Sequence, residues 1–261
     1  MSLIRSPVTN KCVHNVTPEN AGWEYVGFQV LDLAIGDTFK LDASENETCL
    51  IVLSGKVDIE TASLSLKAIG ERETVFQKIN PHAVYVPWKM EAQVKAFTKA
   101  ELAIAKAPGA DGFPARHLPP ENMPRFKRGK GSNTRYICNI LMMESIAHKL
   151  LVTEVLTPAG NWSSYPPHRH DVDALPHISY LEETYYHRIN PSQGFALQKI
   201  YTDDESLDET FTIKDRDVVL VPRGYHPCGA PYGYDLYYLN TMAGPTREWA
   251  FKTDPNHEWL E

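Results

Sequence analysis

The chain has 261 residues, 43% of them hydrophobic and 23% charged, with a formal net charge of −7. At roughly 150 residues per domain this is one or two domains with enough apolar content for a buried core, which excludes general disorder. The acidic balance argues against nucleic acid as a main partner, no stretch nears the roughly 20 apolar residues of a membrane helix, and the opening Met-Ser-Leu-Ile-Arg-Ser-Pro lacks the apolar core of a secretory signal, so a soluble cytoplasmic protein is expected.

In chain order, runs rich in β-branched and aromatic residues predict strands at Tyr25–Leu33, Thr48–Leu53, Lys56–Thr61, Ala83–Val86, Gln93–Phe97 and Glu101–Ala107. Residues 108–132 follow, with five prolines and then the basic run Arg125–Lys130. Proline followed by basic and glycine residues reads as a linker, and the basic run either as an anion patch or, the simpler reading, as solvated charge. A second set of strands is predicted at Arg135–Leu141, Leu150–Thr157, Glu183–Arg188, Phe195–Tyr201, Thr210–Ile213, Val218–Val221 and Tyr234–Ala243. The 19 prolines are spread along the chain and leave little room for helices, since an interior proline costs about 3 kcal/mol. Cys12, Cys49, Cys138 and Cys228 form no Cys-x-x-Cys pair, so they read as small buried thiols. The fold class is all-β.

The halves punctuate alike. Ala83-Val84-Tyr85-Val86-Pro87 parallels Val218-Val219-Leu220-Val221-Pro222, an apolar run closed by proline. This predicts a duplicated jelly-roll barrel, with an N-terminal domain over 1–107, the linker over 108–132 and a C-terminal domain over 133–261.

The chemistry concentrates in the second half. His168 and His170 lie in Tyr165-Pro166-Pro167-His168-Arg169-His170-Asp171. In extended structure their side chains share a face, about 6.6 Å apart, and can converge on one metal ion. Leu181-Glu182-Glu183-Thr184-Tyr185-Tyr186 opens the next strand with adjacent carboxylates, of which alternation sends only one inward. Val221-Pro222-Arg223-Gly224-Tyr225-His226 places a third histidine just after a Pro-x-Gly turn. Three imidazoles and a carboxylate suit one divalent ion among Mn, Fe, Co, Ni and Zn.

This order of elements resembles the cupin superfamily, with His168, His170, Glu183 and His226 at its ligand positions. The interval between His170 and Glu183 is longer than in a typical cupin, which admits Glu182, Asp173 and His177 as rivals for the fourth ligand. Glu183 is favoured because Thr184-Tyr185-Tyr186 continues the strand. In the first half, Glu47-Thr48-Cys49-Leu50-Ile51-Val52-Leu53-Ser54-Gly55 resembles a cupin strand with no His-x-His before it, so the N-terminal barrel is expected to hold no metal.

The second half resembles more closely the cupin family of 5-deoxy-glucuronate isomerases of inositol catabolism. The stretches that carry this are Asn161–Asp171, Leu181–Tyr186, Val221–Pro227, Tyr234–Asn240 and Met242–Pro245. The resemblance implies a metal-dependent aldose–ketose isomerisation of 5-deoxy-glucuronate to 2-deoxy-5-keto-gluconate, in which a divalent cation polarises both oxygens of an enediolate. Glu182 or Glu183 is the candidate base that moves the proton. Arg247 is assigned to the substrate carboxylate, and Tyr185, Gln198 and Tyr237 to its hydroxyls. The expected partner is a small sugar acid, and the resemblance is compatible with a homo-oligomer. Alternatives are the sister isomerase acting on 4-deoxy-5-keto-uronates from pectin, a metal-dependent cupin dioxygenase, and a non-catalytic sugar-binding cupin.

Overall fold

Each run predicted as a strand falls on one: some, such as Ala92–Ala96 and Ala196–Tyr201, alternate buried and more open positions, while others, such as Ala83–Val86, Leu151–Thr157 and Val218–Val221, are buried on both faces. The computed structural model describes residues 2–260. Among them, helix is limited to the four-residue Pro18–Ala21, capped by Thr17, and three short 3-10 turns. No helix of the described residues is long and apolar enough to cross a membrane.

The first compact unit comprises residues 8–124 and 139–152. Its larger sheet orders the strands Arg116–Leu118, Ala83–Val86, Asn46–Ser54, Ala100–Pro108, Gly27–Leu33 and Cys12–Val16, and its smaller one Thr38–Leu41, Ala92–Ala96, Val57–Thr61 and Ser65–Ile69. Leu50, Val52, Val84 and Leu102 from the first sheet pack on Val57, Ile59 and Val94 from the second. Burying each such side chain contributes about 1.5–3 kcal/mol, and this core holds the two sheets together. The turn at Gly55 has φ +79°, and a Cβ there would lie 2.1 Å from the Lys99 carbonyl oxygen, so only glycine fits.

The second unit, residues 2–7, 125–138 and 153–260, repeats this plan. One sheet orders Ile4–Arg5, Val218–Val221, Glu182–Asn190, Asp235–Ala243, Leu151–Thr157, Arg135–Leu141 and Arg125–Arg128; the other orders Trp162–Ser163, Cys228–Gly229, Ala196–Tyr201 and Asp208–Ile213. Tyr185, Ile189, Val219, Val221 and Tyr238 pack there on Ala196, Ile200, Ile213 and Cys228. The architecture is therefore all-β, two jelly-roll barrels built from one strand plan.

The units do not follow the predicted boundaries residue for residue. The stretch 108–132 is not an unstructured linker: Arg116–Leu118 pairs with Ala83–Val86, and Arg125–Arg128 pairs with Arg135–Cys138. Both are edge strands, and Pro119, Pro120 and Pro124 fall between them, where no ladder N–H is needed. Ile4–Arg5 pairs with Val218–Val219, which takes the N-terminal residues into the second unit. The matching registers also separate the barrels chemically. Val221 faces Glu183 across its strand pair, whereas Val86, which closes the corresponding strand, faces Thr48.

Candidate metal centre

His168–Arg169 is a two-residue strand paired with Lys252–Thr253. His170, two residues on from His168, returns to the same side, with ring centroids 6.2 Å apart. The long interval before Glu183 is taken up by a hairpin, Asp171–Ala174 against Ile178–Tyr180. It returns the chain so that the Leu181 N–H donates to the His170 carbonyl at 2.9 Å and His170 Nδ1 donates to the Leu181 carbonyl at 3.2 Å. Asp173 and His177 are exposed on this hairpin, whereas the ligand candidates lie inside, so the two rivals stay out of the cluster.

The third imidazole depends on a turn. Gly224 has φ +85°, and a Cβ there would lie 2.3 Å from the Tyr201 carbonyl oxygen. Its carbonyl accepts from His226 Nδ1 at 2.8 Å, which aims the other ring nitrogen inward. His226 then lies with its ring centroid 5.0 Å from each of His168 and His170. One ring nitrogen from each of the three lies within 4.8 Å of the others. Glu183 projects from the inner face of its strand, with Oε2 3.0 Å from His170 Nε2 and 3.2 Å from His226 Nε2.

The protonation pattern of this cluster defines what it can hold. Carbonyl oxygens only accept, so Nδ1 of His170 and of His226 carries the hydrogen. In the neutral ring Nε2 is then a lone pair, and both lone pairs face the same carboxylate oxygen. Such an arrangement is satisfied by protons or by a cation. His226 Nε2 is moreover buried without an aligned hydrogen bond. Burial pushes the Glu183 carboxyl up, but the contacts with His170 and His226 outweigh this and hold it at about 2. Burial likewise opposes charge on His170, and its hydrogen bond to Glu183 reverses the sign and raises it. Burial and the two neighbouring imidazoles hold His168 well below its ordinary value. With a cation in place of the protons between these groups, three imidazole nitrogens and one anionic oxygen, the outer nitrogens of His170 and His226 tied to backbone carbonyls, fit a divalent metal ion.

The other predicted site residues divide by strand parity. Glu182 is buried, but it projects from the face opposite Glu183, which takes the candidate base away from the histidines. Tyr237 pairs with Arg188 on that same opposite face, and its hydroxyl donates to Glu154 at 2.9 Å, so it does not line the barrel. Its neighbour Tyr238 does: its ring centroid is 4.8 Å from Tyr185, and its hydroxyl shares a 2.6 Å hydrogen bond with Ser163. Tyr185 faces inward beside His226 with its hydroxyl on Ser164 at 2.9 Å; burial pushes that hydroxyl well above its ordinary value, which suits it to hydrogen bonding and not to proton transfer. Gln198 also faces inward, but its amide oxygen accepts from His187 at 2.9 Å and it reaches the His226 carbonyl at 3.5 Å, so it braces the site.

A cavity of about 870 Å³ opens beside His168, bounded by Arg128, Arg135, Trp162, Tyr165, Trp249 and Phe251. That volume is in the range of small-molecule sites. Arg247, predicted to hold the substrate carboxylate, does not line it. Trp249 and Phe251, missed in the sequence, wall the cluster, with Phe251 4.8 Å from His168 and Trp249 5.3 Å from His170 between ring centroids. The spacing Trp-Ala-Phe, two large rings on one face of an extended segment, is the signal that would have found them. Asp171 was missed too; it accepts from the Gly224 N–H at 2.7 Å and from Arg169 at 2.8 Å.

The model of the KduI/IolB family matches residues 3–260. A 5-deoxy-glucuronate isomerase from Geobacillus thermodenitrificans NG80-2 is 54% identical over 98% of this chain and 93% of its own, and one from Bacillus subtilis 168 is 44% identical over 99% and 98%. The crystal structure of an IolB-like protein from Salmonella typhimurium LT2 is 45% identical and superposes over 100% of this chain and 99% of its own with a TM-score of 0.98. An oxalate decarboxylase from Lactobacillus farciminis, 12% identical with a TM-score of 0.66 over 97% of this chain and 88% of its own, shares the fold alone. With matches that run from end to end at such identity, the chain belongs to the KduI/IolB family.

Proposed function

We propose that this protein is a metal-dependent isomerase that converts 5-deoxy-glucuronate to 2-deoxy-5-keto-gluconate, an aldose–ketose isomerisation. The names of its relatives supply the substrate, and the observation that carries the chemistry is the buried convergence of the His170 and His226 Nε2 atoms on one Glu183 oxygen, with His168 completing the set toward the cavity. His168, His170, His226 and Glu183 would hold one divalent ion. When bound, that ion supplies Lewis-acid polarisation of adjacent substrate oxygens, the need of a reaction that moves a proton between neighbouring carbons.

The rest is done by the chain. The Leu181 and Gly224 carbonyls hold two of the rings in one tautomer. Trp249 and Phe251 cover the flanks of His168 and His170 and leave substrate an approach from the cavity side. Excluding water there strengthens each electrostatic contact the substrate makes. Glu183, held as an anion far below working pH, serves as a ligand and not as a proton carrier, which needs a pKa near the operating value.

The test is a panel of deoxy-uronates offered to protein with its metal retained, products being identified by NMR. Formation of 2-deoxy-5-keto-gluconate from 5-deoxy-glucuronate is the expected result. Turnover of the 4-deoxy-5-keto compound alone would overturn the assignment in favour of the sister reaction.

A further inference from the structure

The cavity beside His168 contains two guanidinium groups that the metal centre leaves unused. Arg128 and Arg135 stand directly opposite one another in the antiparallel pair of Arg125–Arg128 with Arg135–Cys138. Directly opposed residues project from the same face, and the next pair on that face includes Ile137, which packs against the barrel core. Both arginines line the cavity together with His168. Arg135 is 8% exposed, and its Nη1 donates to the Asn133 carbonyl at 3.1 Å and to the Asn133 side-chain oxygen at 2.9 Å. Arg128 is exposed and sits 5.8 Å over the Phe251 ring, which in turn lies 4.8 Å from His168.

Two like charges placed opposite each other destabilise a strand pair. Among the described residues no carboxylate lies within ion-pair distance of either guanidinium. Burial holds Arg135 below its ordinary value, and the neighbouring Arg128 adds repulsion. Among the described residues the pair thus forms a cationic fork without an acidic partner, facing a cavity, in a protein whose net charge is −7. An anion with two oxygens relieves both the repulsion and the missing partner, and a planar carboxylate matches guanidinium geometry.

We propose that Arg128 and Arg135 form the subsite that binds the carboxylate of the sugar acid, setting the opposite end of the substrate against His168. This rests on the sugar-acid reading above. It moves carboxylate recognition from Arg247 to Arg135 and to Arg128 of the basic run at residues 125–130, for which an anion patch is the less simple of the two readings the sequence offers. It also explains why an edge strand carrying exposed charge is built onto this barrel.

The decisive experiment measures binding and turnover separately in Arg128→Gln, Arg135→Gln and Arg135→Lys, each with metal content and thermal midpoint recorded. Calorimetric binding of glucuronate, and of glucose as its uncharged counterpart, reads the subsite without chemistry. The expected result is that each Gln variant loses about tenfold to a hundredfold in glucuronate affinity, the range for one charge-assisted contact. Glucose binding and metal content should stay at wild-type values, and Arg135→Lys should recover part of the loss. For 5-deoxy-glucuronate turnover the loss should fall on KM more than on kcat. Unchanged glucuronate affinity in both Gln variants overturns the subsite. If Arg135→Gln does not fold, the exposed Arg128 decides the outcome alone. Arginine-dependent binding of glucuronate without turnover of 5-deoxy-glucuronate by wild type would retain the subsite and refute the isomerase assignment.

Discussion

The carboxylate of Asp171 accepts a 2.7 Å hydrogen bond from the backbone N–H of Gly224 and so joins the loop leaving His170 to the turn that presents His226. Its other oxygen accepts from Arg169 at 2.8 Å, which leaves the side chain little freedom. The two segments are more than fifty residues apart in sequence, and this bond ties together the backbone on which the two histidines are carried. Asp171→Ala should therefore weaken metal binding by about tenfold or more, as loss of an outer support commonly does. The check is competition for the metal with a chelator of known affinity. Wild-type affinity in the variant would remove Asp171 from the positioning of the site.

His187 gives a pH dependence of stability separate from the metal ligands. Its Nε2 donates to the Gln198 amide oxygen at 2.9 Å, Nδ1 is buried without a partner, and burial pulls its pKa down to about 4. Against an unfolded value of about 6.5 the unfolded chain binds the proton first, so stability is intact above that pH and declines as pH falls toward 4. The full loss at this group is about 3 kcal/mol, from about 1.4 kcal/mol per unit. Denaturant titrations between pH 7 and 4 should show a steeper fall in wild type than in His187→Gln. Parallel curves would contradict the assignment.

Glu47 anchors the first barrel in a different way. Fully buried, it accepts from the Tyr85 hydroxyl and from the backbone N–H groups of His148, Lys149 and Leu150 at 2.8, 2.6 and 2.6 Å. Glu47→Ala leaves several donors without a partner, each costing about 1–3 kcal/mol. A loss of at least about 3 kcal/mol in stability is expected, with metal content per folded chain unchanged. A change below 1 kcal/mol would mean that water replaces the carboxylate.

How far the sequence could be read follows from what is local. The strands were readable because runs of β-branched and aromatic residues, and the Gly, Pro, Asn and Asp that bound them, are properties of a few adjacent residues. The meeting of His168 with His170 was readable for the same reason, since two residues apart in a strand means one face. Parity fixes relative faces and not absolute ones. Tyr237 and Tyr238 are equally apolar neighbours, and only the pairing of Arg188 with Tyr237 and His187 with Tyr238 decides which enters the barrel. Glu182 and Glu183 pose the same question, decided by the contacts of Glu183 with the imidazoles. Arg128 lies within residues 108–132, where the prolines read as a linker, so its place on a paired strand has no signal in the sequence. The edge strand Arg125–Arg128 exists through pairing with residues 135–138, a tertiary relationship with no local signature.

The central claim is that His168, His170, His226 and Glu183 hold a cation the reaction requires. The most direct measurement is turnover of 5-deoxy-glucuronate by one preparation before chelation, after it, and after titration with divalent metal, with His226→Ala alongside. Activity should vanish with the metal, return at one equivalent per chain, and be absent in the variant at every metal concentration. Full turnover by metal-free protein, or by His226→Ala without bound metal, would contradict the account.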